Sequence, residues 1–517
     1  MDAKNAGQNE LTPVETHARG GMQDLYLVPR RYEERLRHSR SLKTMLFMSL
    51  AIAAVPFGLG SPLITAIYGG GPRSMFIGLI VVILLNSCIG ISLAELASHF
   101  PTSGGPYYWC YRLLKPSKSR QALSFLTGYV WLIGNWTITL SVNFGFASLL
   151  AATVSIYVTD WTATNYELLL IFYGICVVTF TICALGDRLL PVVDTIAATF
   201  TLITVIAVLL ALSMTAKAGR HSASYALWYY DDSFSGWGAG FTFFIGLLPP
   251  AYTFSAIGMV ASMAEECQEP EVQLPQAMSL TVPIGGIAAL AFILPICFTL
   301  PNATDIIAAP YGQALPYIIH TVMGTQAGAI VIMVLVLLVT LFCSISITTT
   351  ASRCTWAFSR DNAIPLSHLW SKTFKDRPLA ALCLVTLIEM LLGLINLGST
   401  SAFTAFISVG VIALASGYFI PICISFVSGR QEVSKARWTA GPLVGRVVNG
   451  IALLWIAFEL VLFSMPTALP VTEISMNYAS VVYVAFLILG AIWYIVHGRK
   501  NYHGQLDQVI VDGSTVM

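Results

Sequence analysis

Apolar residues in this chain come in long unbroken runs, separated by short stretches rich in Gly, Pro and basic residues. The runs fall at about 45–68, 74–99, 122–157, 167–185, 190–214, 239–263, 277–299, 326–356, 380–398, 402–428, 449–467 and 478–497. Roughly 20 apolar residues in a helix cross the ~30 Å hydrocarbon core of a bilayer. The pattern predicts an all-α integral membrane protein with twelve transmembrane helices. The third and eighth runs are long enough to tilt or to extend past the bilayer. Polar tails are expected over about 1–42 and 499–517, around a membrane domain over 43–498.

Two runs are interrupted. The first contains Phe57-Gly58-Leu59-Gly60-Ser61-Pro62, and the sixth contains Pro249-Pro250-Ala251-Tyr252-Thr253-Phe254-Ser255-Ala256-Ile257-Gly258. Glycine weakens a helix interior, and proline removes a donor and clashes with the preceding turn. In lipid no water satisfies the freed groups, so a break must be covered by protein or line a cavity. The two breaks lie five spans apart. Matching interruptions in two halves of a chain point to the binding site of an inverted-repeat transporter. Half-helix N-termini there suit a carboxylate, and free carbonyls suit a cation or an amine. The expected substrate residues are Phe57, Gly58, Gly60, Ser61, Phe254, Ser255, Gly258 and Ser262.

Composition supports membrane embedding. Hydrophobic residues make up 56% of the chain and charged residues 10%, against about 25% charged in soluble proteins. A net charge of +1 gives no argument for a nucleic-acid partner. No apolar segment stands near the start, so a cleavable signal peptide is not expected. With the N-terminus inside, 24 of the 27 Lys and Arg residues fall on the cytosolic side, which predicts that both termini are cytosolic. The plasma membrane is the expected location. Asn302-Ala303-Thr304 is then a glycosylation triplet in an outside loop. The ten cysteines form no CxxC pair, and neither a disulfide framework nor a metal site is expected.

Other residues carry candidate chemistry. Ser344, Ser346, Thr348, Thr349, Thr350 and Ser352 form a hydroxyl ladder in the eighth run. Such side chains either bond the carbonyl one turn back or line an ion or substrate path; Ser346, Thr349 and Thr350 are the candidates for the path. Acidic residues in the interior of the runs are Glu95, Asp194, Glu389 and Glu459. Intramembrane ionisable groups are functional candidates. Glu389 and Glu459 lie nearer mid-depth, where either carries a proton or packs neutral between helices; Glu389 is placed on the coupling path. Asn86, Asn135 and Asn143 are read as interhelical glue. Glu95, Glu265 and Glu266 face a surplus of Arg and Lys on the cytosolic side and are expected to form a gate.

Several motifs carry a resemblance. Ser92-Leu93-Ala94-Glu95-Leu96-Ala97-Ser98 followed by Pro101-Thr102-Ser103-Gly104-Gly105-Pro106-Tyr107-Tyr108-Trp109, then Ala264-Glu265-Glu266 with Pro270 and Pro275, then Ser359-Arg360-Asp361-Asn362-Ala363-Ile364-Pro365, resemble amino acid–polyamine–organocation permeases. The stretch from Leu391 to Ser399, with Ala402-Phe403, resembles the fungal amino acid/choline branch, which includes GABA and choline permeases. The resemblance implies two inverted five-span repeats, about 45–214 and 239–428, with two extra spans over about 449–497. It implies alternating-access transport of a small amine or amino acid, with the proton as the expected coupling ion and no cofactor. One departure stands out. Where many of the branch carry an acidic residue and a histidine, this chain has Gly258 and Ser262, so an ammonium group meets no carboxylate in that stretch. Tyr252, Phe254 or Trp136 are then candidates for cation–π contact with a quaternary amine. A nutrient sensor on the same fold, or a carrier of an unrelated metabolite or vitamin, is the alternative. The chain has no HExxH, no histidine cluster and no P-loop, which argues against an enzyme or an ATP-driven pump.

Overall fold

The computed structural model describes residues 40–158, 161–186, 189–217, 219–374, 377–398, 402–472, 476–502 and 504. The expectations for the tails before Arg40 and after Gly504, and for Arg188, Lys375 and Ser399, lie outside the described residues. Among the described residues twelve helices are long and apolar enough to span a membrane. They are Leu42–Gly60, Ser74–His99, Ser119–Tyr157, Asn165–Leu185, Leu190–Thr215, Ala239–Glu266, Pro270–Phe298, Gln326–Arg360, Leu379–Leu397, Thr404–Val427, Pro442–Leu462 and Ala479–Asn501, here spans 1 to 12.

Burial sorts them. The apolar windows of spans 3 and 6 are each 83% buried, whereas that of span 12 is 11% buried, so the former are central and the latter faces outward. Large apolar side chains such as Leu84, Val177, Ile287 and Leu454 are exposed, as surfaces solvated by lipid tails require. Span 3 packs on spans 10 and 8, span 2 on span 7, and span 1 on spans 5, 6, 7 and 8. Local chemistry starts some helices. Ser117 caps span 3 by accepting from the Arg120 N–H, and Thr164 with Glu167 forms a capping box at span 4.

Both expected interruptions occur, with shifted limits. The first helix ends at Ala53, Ala54 takes a left-handed conformation (φ 37°, ψ 56°), and a new helix runs Val55–Gly60. A turn at Ser61-Pro62 then leads to Leu63–Tyr68. The expected break was centred on the glycines; they instead lie inside the short middle helix. Pro56 is the reason. It has no N–H to give back to the preceding turn and starts a helix readily. Span 6 is divided into Ala239–Ile245, Leu248–Ser255 and a 3-10 stretch over Ala256–Glu266. Pro249 and Pro250 occupy the first turn of the middle piece, where an N–H would have no helical partner. A 3-10 run longer than three or four residues is unusual and often marks a hinge.

The segment after span 1 lies in close backbone contact with span 6. A Cβ on Gly69 would lie 2.2 Å from Cα and 2.3 Å from N of Gly246, so the end of the Leu63–Tyr68 helix and the first break of span 6 touch backbone to backbone. Gly69→Ala is expected to cost about 1–3 kcal/mol by overpacking, read as a lowered melting temperature of the detergent-purified protein.

Candidate functional site

Two small cavities lie beside span 6, and span 1 walls one of them. The first is lined by Ala53, Phe57 and Gly58 of span 1, Val142 of span 3, Tyr252 and Thr253 of span 6, and Cys343 of span 8. It holds about 10 Å³, the room of about one water. None of its lining residues is charged. The Phe57 and Tyr252 rings meet edge to face at 6.5 Å, and Tyr252 shares a 3.0 Å hydrogen bond with Ser141. A Cβ on Gly58 would sit 2.7 Å from Thr253 Oγ1 and 2.9 Å from the Ala53 carbonyl oxygen. Glycine there lets spans 1 and 6 approach at the wall of the cavity. The Ile52 carbonyl, which loses its helical partner at Pro56, accepts from Cys343 Sγ at 3.2 Å.

The second cavity lies between spans 2, 6, 10 and 11. Phe254, Ser255, Asn86, Tyr418 and Glu459 are among its lining residues. Tyr418 closes the break in span 6. Its hydroxyl donates to the Ser255 carbonyl at 2.9 Å and accepts from the Gly258 N–H at 3.1 Å. Its ring lies where a Cβ on Gly258 would fall, 2.3 Å from Cε1. Sequence reasoning missed Tyr418, because a lone tyrosine in an apolar run carries no local signal. It missed Ala54 as well, although Pro56 two residues on was the available signal.

The expected substrate residues divide between these places. Phe57 and Gly58 line the first cavity, while Phe254 and Ser255 line the second. Gly60 packs against Leu315, and the Ser61 hydroxyl donates to Gln313 Oε1 at 3.1 Å. The contacts are with Gln313 and the first turn of the Ala314–Met323 helix, which covers this end of span 1. Ser262 bonds the carbonyls of Met259 at 2.7 Å and Thr350 at 3.3 Å, tying the 3-10 stretch to span 8. Trp136 donates to Thr355 Oγ1 at 3.0 Å.

The hydroxyl ladder behaves in both expected ways. Thr349, Thr350 and Ser352 bond carbonyls within their own helix. Ser346 instead donates to Asp194 at 2.9 Å, and Ser344 donates to Asn143. Asn143 in turn donates to Glu389 Oε2 at 2.6 Å, and Thr179 bonds Ser344 at 2.8 Å. This buried network joins spans 3, 4, 8 and 9 directly behind Val142 and Cys343, which line the first cavity.

At the tail end of span 1 the charges pair. Arg40 reaches Asp194 at 2.7 Å and Glu266 at 3.2 Å, and Arg353 reaches Glu266 at 3.1 Å. Backbone bonds add to this, from Arg40 N to Glu266 O at 3.0 Å and from Gln268 N to Arg40 O at 2.9 Å. Glu265 pairs with Arg360 at 3.3 Å and accepts from Ser103. Glu95 belongs to a separate cluster. Its Oε1 takes Arg430 at 2.5 Å, Thr439 at 3.1 Å and the Ala440 N–H at 2.9 Å, which fastens the loop between spans 10 and 11. Nearby, Asp361 accepts from the Tyr107 hydroxyl at 2.7 Å. Burial pushes the Asp361 carboxyl up to about 6, against the pull of Arg360 and that hydroxyl. Asn302 is exposed, at the start of a short helix over Ala303–Ile307.

Twelve spans around two broken helices, with a small uncharged cavity where they meet, define a membrane carrier. The sequence model of the amino acid permease family matches residues 41–487. The chain belongs to that family and is a transmembrane transporter, not an enzyme. It is 27% identical over 474 residues to a choline transporter of Saccharomyces cerevisiae, covering 91% of this chain and 83% of that one. It is 32% identical over 445 residues to an uncharacterized amino-acid permease of Schizosaccharomyces pombe, covering 85% and 81%. A GABA-specific permease of Saccharomyces cerevisiae matches at 27% over 458 residues, covering 86% and 79%.

Two outcomes test this geometry. Tyr418→Phe removes the hydroxyl that pairs the Gly258 N–H and the Ser255 carbonyl, and is expected to cost about 1–3 kcal/mol, seen as a lower melting temperature. The raised Asp361 carboxyl gives stability that is full below its unfolded value near 4 and is lost as pH rises through about 6. Asp361→Asn is expected to remove about 1–3 kcal/mol of that fall, seen as a smaller difference in melting temperature between pH 4.5 and 7.5 than in the wild type.

Proposed function

We propose that this protein is a secondary active transporter of a small amine or amino acid, working by alternating access and importing its substrate with protons. The observation that carries the substrate class is the uncharged first cavity, walled by Phe57, Gly58 and Tyr252 where two span breaks meet. Aromatic faces attract an ammonium group without a carboxylate, and a broken helix offers backbone groups to a small zwitterion. The choline, GABA and polyamine transporters among the similar proteins support that class.

On this reading Phe57, Gly58, Gly60, Ser61, Phe254, Ser255, Gly258 and Ser262 form and support the binding site. The two halves are the repeats over about 45–214 and 239–428, with spans 11 and 12 appended. Arg40, Asp194, Glu266 and Arg353 make the cytosolic gate, with Glu265 and Arg360 beside it and Glu95 fixing an adjacent loop. The gate has a physical logic. Breaking a buried pair leaves uncompensated charge and costs about 3–5 kcal/mol, so opening must break the four-residue set together. The coupling path takes in Ser346, Thr349, Thr350 and Glu389. Both termini are cytosolic, the membrane is the plasma membrane, and Asn302 is open to glycosylation from outside.

Two experiments test the reading. In proteoliposomes, labelled choline, GABA or alanine is expected to accumulate when an inward proton gradient is imposed and to stop when a protonophore removes it. Accumulation that survives the protonophore would exclude proton drive. Gly58→Leu is expected to cut uptake more than tenfold while the protein still reaches the membrane; near-normal uptake would remove the site from this break.

A further inference from the structure

The buried acids of the membrane domain differ in their company. Asp194 and Glu266 share Arg40, Glu266 also has Arg353, Glu265 has Arg360, and Glu95 has Arg430. Glu389 accepts from Asn143 at 2.6 Å and lines neither cavity. Glu459 is the exception. It is 3% exposed, forms no ion pair with another described residue, and lines a cavity.

That cavity is where span 6 unwinds. Ser255 and Phe254 enter it from span 6, Asn86 from span 2 and Tyr418 from span 10. It holds about 10 Å³, the volume of about one water. Such a space suits a proton passed through one water. On the helix of Glu459 itself, Trp455 donates to Asn86 Oδ1 at 2.9 Å, which holds that amide. Tyr418 is the titratable side chain that faces Glu459 in the cavity, with the Cys354 thiol of span 8 behind it. Spans 2 and 6 present the neutral Asn86 and Ser255. Arg446 stands at the far end of the same helix, about 20 Å away along a helix rising 1.5 Å per residue.

We propose that Glu459 is a proton-binding site, and that its loading and unloading biases the hinge of span 6 through Tyr418. Burying a lone charge is costly, so a change in the Glu459 proton alters the energy of every group lining the cavity. Tyr418 is one of those groups, and its hydroxyl bridges Ser255 and Gly258 across the break. A change in cavity charge therefore acts on the contact that keeps the two pieces of span 6 in register. The path reaches the first cavity because Tyr252, Thr253 and Ala256, which line it, belong to the same short stretch. Span 11 stands outside the repeats, so this site adds to the coupling path through Glu389. The inference rests on the proton-coupled reading for its role in transport, and stands apart from it as a site of proton binding.

The first test uses wild-type protein. Dicyclohexylcarbodiimide modifies protonated carboxyls in apolar surroundings, and peptide mass spectrometry locates the adduct. Modification at Glu459 is expected at pH 5.5, falling at least fivefold by pH 8.5. No adduct at Glu459, or a yield indifferent to pH, overturns the proposal. The second test follows exchange of labelled choline, GABA or alanine in proteoliposomes without a gradient. Wild-type exchange is expected to vary at least fivefold between pH 5.5 and 8; Glu459→Gln is expected to flatten that profile and Glu459→Asp to keep it. A Glu459→Gln profile matching the wild type overturns the link to the hinge. Wild-type accumulation that ignores a protonophore, alongside a pH-dependent Glu459 adduct, removes proton coupling and leaves the binding site standing.

Discussion

A backbone N–H or C=O cannot be left bare in a dry membrane interior. The rest of this structure follows from how that constraint is met at two places. In span 1, Pro56 ends the helix after Ala53, and the Ile52 carbonyl left behind is taken by the Cys343 thiol of span 8. In span 6 the helix gives way after Ser255, and Tyr418 of span 10 bonds both sides of the gap. Each break is thus repaired by a side chain from another span. The repairs fix which helices surround the breaks, and so they fix where the cavities lie. Gly58 and Gly258 serve the same end, since a Cβ on either would strike the wall or the repairing ring.

Charge closes the structure at the tail end of span 1, as packing closes it at the other. Arg40 precedes the span and bonds Asp194 of span 5 and Glu266 at the end of span 6. Because Arg40 is continuous with the first helix, any movement of that helix at this end strains several buried pairs at once. Such pairs are poor as simple stabilisers but well suited to a two-state latch. At the opposite end, Gly60 meets Leu315 and Ser61 bonds Gln313. Both ends are covered, and the first cavity is water-sized.

Much of this could be read along the chain. The twelve spans, the pairing of interrupted spans 1 and 6, and the family came from runs, breakers and short motifs, which are local signals. The site was legible only in part. The glycines of span 1 drew attention to 57–62, whereas the discontinuity begins at Ala54, because a proline acts on the turn before it. The hydroxyl ladder could be read as self-bonded or as path-lining, and its members divide: Thr349 bonds its own helix while Ser346 bonds Asp194. Glu95, Glu265 and Glu266 looked alike as acids at the same face, yet Glu95 fastens a loop through Arg430 and the other two hold the end of span 6.

By itself the sequence determined that this chain crosses a membrane twelve times, that spans 1 and 6 are broken, and which family's motifs it carries. Those properties depend on the length and polarity of contiguous residues, which a sequence states directly. The tertiary structure decided which groups repair the breaks, which arginine each acid meets, and that Glu459 and Tyr418 share a cavity at the hinge. Tyr418 and Gly258 are 160 positions apart, and Arg40 and Glu266 are 226 apart. No local pattern links residues so distant, and only the packing of spans against one another brings them within hydrogen-bond reach.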